Sequence, residues 1–263
     1  MNRDALLKSF SKNEDKLLIA RILDKYLLYE KSKSITHSDF LDPYQRNIVN
    51  KALDTVYITD YRFYGGFDGA ERAIAVFCPN DMQKNNYWEL NNLIRFIKVE
   101  LKTRDNYSHR DYLGALMGLG IKREKVGDIL VKEDFCILTV MEEISDYVLY
   151  NLTKVGNAKA SVRTIEANEL DEVESKVVEI NRTVASLRLD SVAGAGFSVS
   201  RGKIADLIRA EKVSLNWEIT PVLTKQVKEG DTISIRGKGR VVLEKIGNNT
   251  KKDRIHVILK KYV

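Results

Sequence analysis

Residues 186–216 read SLRLDSVAGAGFSVSRGKIADLIRAEKVSLN, and this stretch has the clearest structural pattern in the chain. Its first five residues open a short helix. Ser200 is a suitable N-cap for a second helix, which runs through Arg209. Residues 213–216 form a strand that ends in a turn, and residues 227–233 turn into a final pair of strands. The pattern predicts two helices packed on a small sheet.

The positive charge of the protein is concentrated around this stretch. The net charge of the whole chain is +6 at neutral pH. Residues 186–263 hold 16 Lys and Arg against 8 Asp and Glu, whereas the first 185 residues hold 27 against 29. This asymmetry indicates a polyanionic partner, and nucleic acid is the commonest one. A solvated basic face explains the charge equally well, so the motifs have to decide.

The basic side chains of the two helices are predicted to converge on one helical face. The free N–H groups at the start of the second helix can meet a phosphate there. The loop RGKGR at residues 236–240 is either a charged hairpin turn or a further phosphate contact. The predicted contacts to the nucleic acid are Arg188, Ser200, Arg201, Lys203, Arg209, Lys212, Lys238 and Arg240.

A second recognisable order of elements occupies residues 93–165. The predicted strands are residues 93–101, 126–131, 135–141 and 160–165, and the predicted helices are residues 108–119 and 142–155. Ser108 and Asp111 have the spacing of a capping box. The β-α-β-β-α-β order predicts a ferredoxin-like domain, an arrangement that RNA-recognition-motif domains share. The third strand lacks the glycines and paired aromatics that stack bases in that motif, so RNA binding, protein binding and a spacer role stay open.

The first 88 residues are predicted to form a helical region with a hairpin. Residues 13–30 have apolar side chains at helical spacing, and Asp42 and Pro43 suit the N-cap and first position of another helix. Residues 56–63 and 72–77 are the predicted hairpin strands. Aromatic side chains near the turn either pack beneath the hairpin or stack on RNA. They are Tyr61, Phe63, Tyr64 and Phe67.

The predicted fold class is therefore α+β, with three regions. An N-terminal helical and hairpin region covers residues 1–88, an RNA-recognition-motif-like domain covers residues 89–180, and a basic α/β domain covers residues 181–263. The acidic run at residues 168–179 is predicted to be a linker.

Composition argues against several other classes of protein. Cys78 and Cys136 lie in separate strand-like runs and the histidines are scattered, so neither a metal site nor a cysteine nucleophile is expected. The apolar runs are too short for a membrane span, and the first residues lack the apolar core of a signal peptide. We expect a cytoplasmic protein with no cofactor and no membrane partner, and a monomer by default.

The basic C-terminal stretch resembles the S-four domain, an RNA-binding module named for a small-subunit ribosomal protein. The family pattern is R-L-D, S-R-x-x-A-x-x-L-I, V-x-V-N-G and V-x-x-G-D. Glu211 replaces the usual helix-ending glycine, and Trp217 replaces the glycine after the asparagine, so Trp217 is expected to pack or stack. The resemblance implies an S-four-type α/β domain in which Arg188, Arg201 and Lys203 grip structured RNA. The matching residues are Arg188, Leu189, Asp190, Ser200, Arg201, Leu207, Ile208, Val213, Asn216, Val227, Gly230 and Asp231.

Motifs in the first two regions extend the resemblance along the chain. They are GGF at residues 65–67, AER at 70–72, HRDYLG at 109–114, LGIKR at 119–123 and GDI at 127–129. With the C-terminal module, they look like those of the YlmH family of bacterial proteins. That resemblance implies binding to ribosomal RNA and tRNA on the large ribosomal subunit, in ribosome-associated quality control of stalled peptidyl-tRNA, with a further link to cell division.

A non-catalytic RNA-binding factor is the leading interpretation, and the chain is not expected to be an enzyme. The alternative is an RNA-modifying enzyme of the pseudouridine synthase or methyltransferase type, because S-four modules often target such enzymes to RNA. No catalytic domain or cofactor fingerprint is recognisable in the sequence. A cell-division adaptor is a third interpretation. Arg123 and Lys125, on a predicted loop, are additional candidates for contact with tRNA.

Overall fold

The computed structural model describes residues 3–79, 90–103, 105–170, 177–250 and 253–262. The chain divides into two compact units, Met1–Val173 and Glu174–Val263. Both units combine helices with antiparallel sheets, so the fold class is α+β, as predicted. The first unit contains both the helical region and the ferredoxin-like order of elements.

The N-terminal part of the first unit combines helices with a three-stranded antiparallel sheet in the order β1-β3-β2. Its elements are α1 (Arg3–Lys8), α2 (Asn13–Ser32), β1 (Thr36–Leu41), α3 (Pro43–Thr55), β2 (Tyr61–Tyr64) and β3 (Ala73–Phe77). Asp42 caps α3 as predicted, in a reciprocal capping box with Gln45. Strand β1 was not predicted. The strand predicted at residues 56–63 begins only at Tyr61, because α3 continues through Thr55.

The following elements have the predicted β-α-β-β-α-β order, with one short additional strand before the last. They are β4 (Ile94–Leu101), α4 (His109–Gly118), β5 (Val126–Val131), β6 (Phe135–Met141), α5 (Glu142–Asn151), β7 (Lys154–Val155) and β8 (Ala158–Ile165), and the sheet order is β5-β6-β4-β8-β7. The helix predicted at residues 142–155 is too long. Helix α5 ends at Asn151, and β7 pairs with β8 around Gly156, whose φ of 54° suits a tight turn.

The two sheets of the first unit pack against each other. In strand β3, alternate side chains point to opposite faces, so Ala75 and Phe77 contact the helices while Ile74 and Val76 face the middle sheet. Phe40 of β1 joins that second face. The middle sheet contributes Ile94, Phe96, Ile137, Met141 and Ile165 to the same core cluster. The face of the middle sheet opposite its helices is therefore partly covered by the N-terminal sheet.

The second unit is a six-stranded antiparallel sheet with two helices on one face. Its elements are β9 (Val177–Val184), α6 (Leu189–Phe197), α7 (Arg201–Arg209), β10 (Val213–Leu215), β11 (Glu218–Ile219), β12 (Thr232–Ile235), β13 (Gly239–Asn249) and β14 (Ile255–Tyr262), in the sheet order β11-β10-β12-β13-β14-β9. The buried faces of α6 and α7 share one core with the sheet, including Leu189, Ile204 and Val241.

Strand β9 corrects the predicted linker. Residues 171–176 of the acidic run lie outside the described residues, but Val177 already begins a strand that pairs along β14. The register joins Val177 to Tyr262 and Val184 to Ile255. The last part of the run is therefore an edge strand of the C-terminal sheet.

Two glycines allow helix α6 to pack closely. A Cβ on Gly196 would lie 2.8 Å from Cγ1 of Val241 on the sheet. A Cβ on Gly194 would lie 3.0 Å from the carbonyl oxygen of Val199, in the connection to α7. Gly196 therefore lets α6 approach the sheet closely, and Gly194 lets the connection to α7 pass close to α6.

Candidate nucleic-acid interface

Arg188 and Arg201 are brought together by one carboxylate. Arg188 is the residue before helix α6, Asp190 lies in the first turn of α6, and Arg201 is the first residue of α7. Nη2 of Arg201 donates to Oδ2 of Asp190 at 2.6 Å. Nε and Nη2 of Arg188 donate to the two oxygens of Asp190, each at 3.2 Å. This Arg188–Asp190–Arg201 cluster unites two of the predicted contact residues.

Local backbone contacts fix the position of the cluster. The N–H of Leu189 donates to the carbonyl of Lys225 at 2.9 Å, and that of Asp190 donates to the carbonyl of Leu223 at 3.2 Å. Cγ of Arg201 lies 3.8 Å from where a Cβ on Gly194 would be. The Arg201 side chain therefore passes over a helix position that has no side chain and reaches the start of α6.

Ser200 is the N-cap of α7, as predicted, but Lys203 does not share the face of Arg201. Oγ of Ser200 accepts the N–H of Lys203 at 3.4 Å. At 3.6 residues per turn, Lys203 lies about 160° around the helix from Arg201 and about 120° from Arg209. The prediction that these basic side chains converge on one helical face is therefore wrong for Lys203, although that side chain is exposed.

A second group of basic residues lies at the opposite end of α7. Arg209 is exposed and donates to Asp206 at 3.1 Å. The N–H of Arg236 donates to the carbonyl of Lys212 at 2.9 Å, which brings the β12–β13 turn beside the end of the helix. Lys238 is exposed in that turn, between Gly237 and Gly239, which both have positive φ. Residues 236–238 thus form a charged hairpin turn, and its contact with phosphate stays a prediction.

Arg240 lies apart from both groups. In β13 it pairs with Tyr262, while the next residue, Val241, belongs to the core beneath the helices. Successive side chains of a strand point to opposite faces, so Arg240 is on the sheet face away from α6 and α7. Its guanidinium stacks over the Tyr262 ring, with Cζ 4.2 Å from the centroid. Burial lowers the pKa of Arg240, against a smaller opposing effect of Tyr262.

Several residues of the S-four-like pattern hold the unit together. The side chain of Asn216 donates to Asp231 at 2.8 Å and accepts the N–H of Thr232 at 2.9 Å. Asp231 also accepts the N–H of Lys228 at 2.7 Å. Asn216 and Trp217 both have positive φ in the two-residue loop between β10 and β11, which is the geometry of a type I′ turn. Asn216 and Asp231 therefore have structural roles.

The motifs of the first unit are structural as well. The carboxylate of Asp128 accepts the N–H groups of Glu71 at 2.7 Å and Arg72 at 3.0 Å. The Arg72 guanidinium donates to the carbonyls of Val126 and Phe40, which tie the two sheets together. These are residues of the AER and GDI motifs, so the motifs join the N-terminal and middle elements.

Arg123 and Lys125, the additional candidates for contact with tRNA, both make contacts within the first unit. Arg123 donates to the carbonyls of Val126 and Gly127, and burial lowers its pKa to about 10, so it stays charged at neutral pH. Lys125 pairs with Asp39 and Glu143. Both lie in a short 3-10 helix rather than an open loop.

The remaining sequence candidates for chemistry and for base stacking also have structural roles. Asp111 completes the capping box with Ser108, accepting its N–H at 2.8 Å. Tyr61 and Phe63 pack against the N-terminal core, and Phe67 lies 6.4 Å from Phe96 between ring centroids. These contacts favour packing beneath the hairpin over stacking on RNA.

Cys78 and Cys136 are both buried. Burial raises the pKa of Cys136, so its thiol is protonated at neutral pH. Across the described ranges, His, Cys, Asp and Glu side chains form no group of three that could hold a metal ion. In the same part of the chain, no helix has both the length and the apolar character needed to cross a bilayer.

Comparisons with known proteins place the chain in a family. A family model described as "Putative RNA-binding domain in YlmH" matches residues 93–169. A curated relative from Bacillus subtilis (strain 168), named "Ribosome-associated protein quality control protein P2", is 32% identical over 253 residues, which cover 94% of this chain and 95% of the relative. A solved structure, "Cell division protein ylmH from Streptococcus pneumoniae", has a TM-score of 0.52 at 19% identity and covers 61% of this chain and 96% of its own. The solved structure shows a shared fold, and the relative, aligned along nearly the whole chain, shows that this protein belongs to the YlmH family.

Proposed function

We propose that this protein is a non-catalytic RNA-binding factor that acts on the large ribosomal subunit. Its targets are ribosomal RNA and ribosome-held tRNA, in ribosome-associated quality control of stalled peptidyl-tRNA complexes. The observation that carries the proposal is the Arg188–Asp190–Arg201 cluster, which presents two guanidinium groups in the basic second unit. Arginine forks of this kind suit phosphate oxygens.

Family membership supports the ribosome as the site of action. The B. subtilis relative is named as a ribosome-associated quality control protein. The matched family model is described as an RNA-binding domain, although it covers residues 93–169 of the first unit. In that region the N-terminal sheet occupies part of the face on which RNA-recognition motifs stack bases. The basic second unit therefore remains the better candidate for the main phosphate contacts.

The absence of catalysis is part of the proposal. Asp111 caps a helix, and Asp190 is bonded to two arginines, so neither carboxylate is poised as a general base. Incubation with labelled S-adenosylmethionine and ribosomal RNA, together with a pseudouridine assay, tests for RNA modification. We expect no turnover above that of a heat-treated sample, and reproducible turnover would contradict the proposal.

The main test is sedimentation of tagged protein with ribosomes on a sucrose gradient. We expect the native protein to travel with the large subunit and an Arg188→Ala/Arg201→Ala variant to stay near the top. The matched control is Lys228→Ala/Lys245→Ala, which removes the same charge from exposed positions elsewhere in the unit. Its sedimentation should resemble that of the native protein.

Three outcomes would contradict the proposal in different ways. Native protein at the top of the gradient, even with stalled complexes present, would remove the ribosome as the target. Equal losses in both variants would show that total charge matters more than the cluster. A double variant that still travels with the large subunit would exclude Arg188 and Arg201 as contacts. Circular dichroism of each variant confirms that it is folded.

A further inference from the structure

Asp190 is much more deeply buried than the two arginines that it bonds. Only 9% of its side chain is exposed, whereas 51% of the Arg201 side chain and 36% of the Arg188 side chain are exposed. The carboxylate thus lies behind two guanidinium groups that reach solvent. A ligand approaching this surface would meet the arginines before the carboxylate.

The carboxylate determines where both guanidinium groups can be. Two arginines placed side by side repel each other, and each has many accessible rotamers when it is not bonded. Three N–H donors converge on Asp190, at 2.6 to 3.2 Å. An arginine has five N–H donors, so Arg188 and Arg201 each retain donors for a phosphate after bonding Asp190.

Asp190 is charged at neutral pH. Burial by itself raises the pKa of this carboxyl, but the hydrogen bond and charge of Arg201, followed by those of Arg188, bring it below its usual value. The cluster as a whole therefore keeps a charge of +1, with the negative charge on its protected side.

We propose that Asp190 is a positioning residue for RNA binding, which holds Arg188 and Arg201 in the geometry that receives phosphate groups without touching the RNA itself. This inference rests on the proposed function. It assigns a role to an acidic residue inside a basic interface, where its charge alone opposes binding of a polyanion.

Because of this opposition, charge and positioning predict changes of RNA affinity in opposite directions. Replacing Asp190 by Asn raises the net charge by one, so long-range electrostatics alone predicts tighter binding to RNA. Positioning predicts weaker binding, because the amide has one acceptor oxygen and its NH₂ group opposes an arginine. The matched control is Asp206→Asn, which makes the same charge change beside exposed Arg209 on the same unit.

The experiment measures binding of the full chain to purified large ribosomal subunits at several salt concentrations. For Asp190→Asn we expect a loss of affinity of about tenfold and a shallower salt dependence, while Asp206→Asn binds as tightly as the native protein or slightly more so. In an Arg188→Ala/Arg201→Ala background, Asp190→Asn should have no further effect, because Asp190 acts through those arginines. Melting curves confirm that each variant is folded.

The inference is overturned if folded Asp190→Asn binds as well as Asp206→Asn, or if it weakens binding equally in the double-variant background. Should Asp190→Asn fail to fold, Asp190→Glu decides, because it keeps the charge and displaces both guanidinium groups by one methylene. Reduced affinity would then support positioning, and native affinity would contradict it. Native protein that does not bind large subunits at all would contradict the proposed function itself, together with the inference that rests on it.

Discussion

At the scale of single residues, several helices are followed by a non-glycine residue with a left-handed backbone, the conformation that glycine usually supplies. Glu211, two residues beyond the end of α7, has a φ of 54°, and Tyr57, two residues beyond the end of α3, has a φ of 58°. At each end, the next residue donates its N–H back across the last turn, Lys212 to Leu207 and Ile58 to Leu53. This is the Schellman arrangement, which usually has glycine at the left-handed position. The turn at Glu211 therefore forms despite its departure from the family pattern.

Replacing Glu211 by Gly should stabilise the protein. The left-handed conformation costs a residue with a Cβ about 1 to 2 kcal/mol, and glycine avoids this cost. The greater flexibility of glycine in the unfolded chain offsets part of that gain. Because Glu211 is exposed, we expect a net gain of about 0.5 to 1 kcal/mol in the free energy of unfolding, measured by urea denaturation. Ala210→Gly, at the adjacent position with a φ of −81°, is the control and should lower it. A loss of stability in Glu211→Gly would contradict this account.

Residue-scale predictions from sequence succeeded where the interaction is local. The caps at Asp42, Ser108 and Ser200 depend on residues three positions away, so their spacing reveals them. The pairing of Lys125 with Asp39 could not be predicted in this way, because the two residues are 86 positions apart in the sequence. The separation of Lys203 from Arg201 follows from helical periodicity alone and was predictable from the sequence.

At the scale of elements, the strands that lack a clear apolar alternation in their sequence were the hardest to predict. Strand β1 reads THSDFL and buries Thr36 and Ser38, and the hydroxyl of Ser38 accepts the N–H of Ala75 at 2.9 Å. Strand β9 begins at the end of the acidic run and is specified by pairing with β14, far along the chain. Helices α2 and α4 and strands β5 and β6, with clear periodicity, were predicted close to their observed bounds.

The contact between the two sheets of the first unit requires Gly127. A Cβ there would lie 2.7 Å from Cε1 of Phe40 and 2.9 Å from its Cζ. Phe40 is buried between the sheets, so its ring has little room to move. We expect Gly127→Ala to lower the free energy of unfolding by about 1 to 3 kcal/mol, measured by thermal or urea denaturation.

Gly114→Ala is the matched control for that variant. Gly114 lies inside helix α4, and an added Cβ would meet nothing within 4 Å. Alanine there should stabilise the protein by about 0.5 to 1 kcal/mol. Opposite signs for the two substitutions would establish the close approach of the sheets, and a Gly127→Ala variant of native stability would refute it.

At the scale of the whole molecule, the sequence predicted the distribution of charge better than the arrangement of the side chains that carry it. The basic excess in residues 186–263 is a property of composition and needs no structure. In the structure, the predicted nucleic-acid contacts lie in three separate places. Some lie at the start of α7, some lie at its C-terminal end, and Arg240 stacks on Tyr262 on the sheet face away from the helices. The role of Asp190 depends on two arginines that meet through folding, although the pattern R-L-D already placed it beside one of them.

The salt dependence of ribosome binding should reveal which unit contacts phosphate. Each phosphate contact that is lost flattens the slope of log affinity against log salt by about one unit. We expect this change for Arg201→Ala in the second unit. Lys102→Ala/Lys159→Ala removes two lysines that line a polar cleft in the first unit, within the match to the RNA-binding family model, and should leave the slope unchanged. A flatter slope in the lysine variant and a native slope in Arg201→Ala would move the main phosphate contacts to the middle domain, despite the covered face of its sheet.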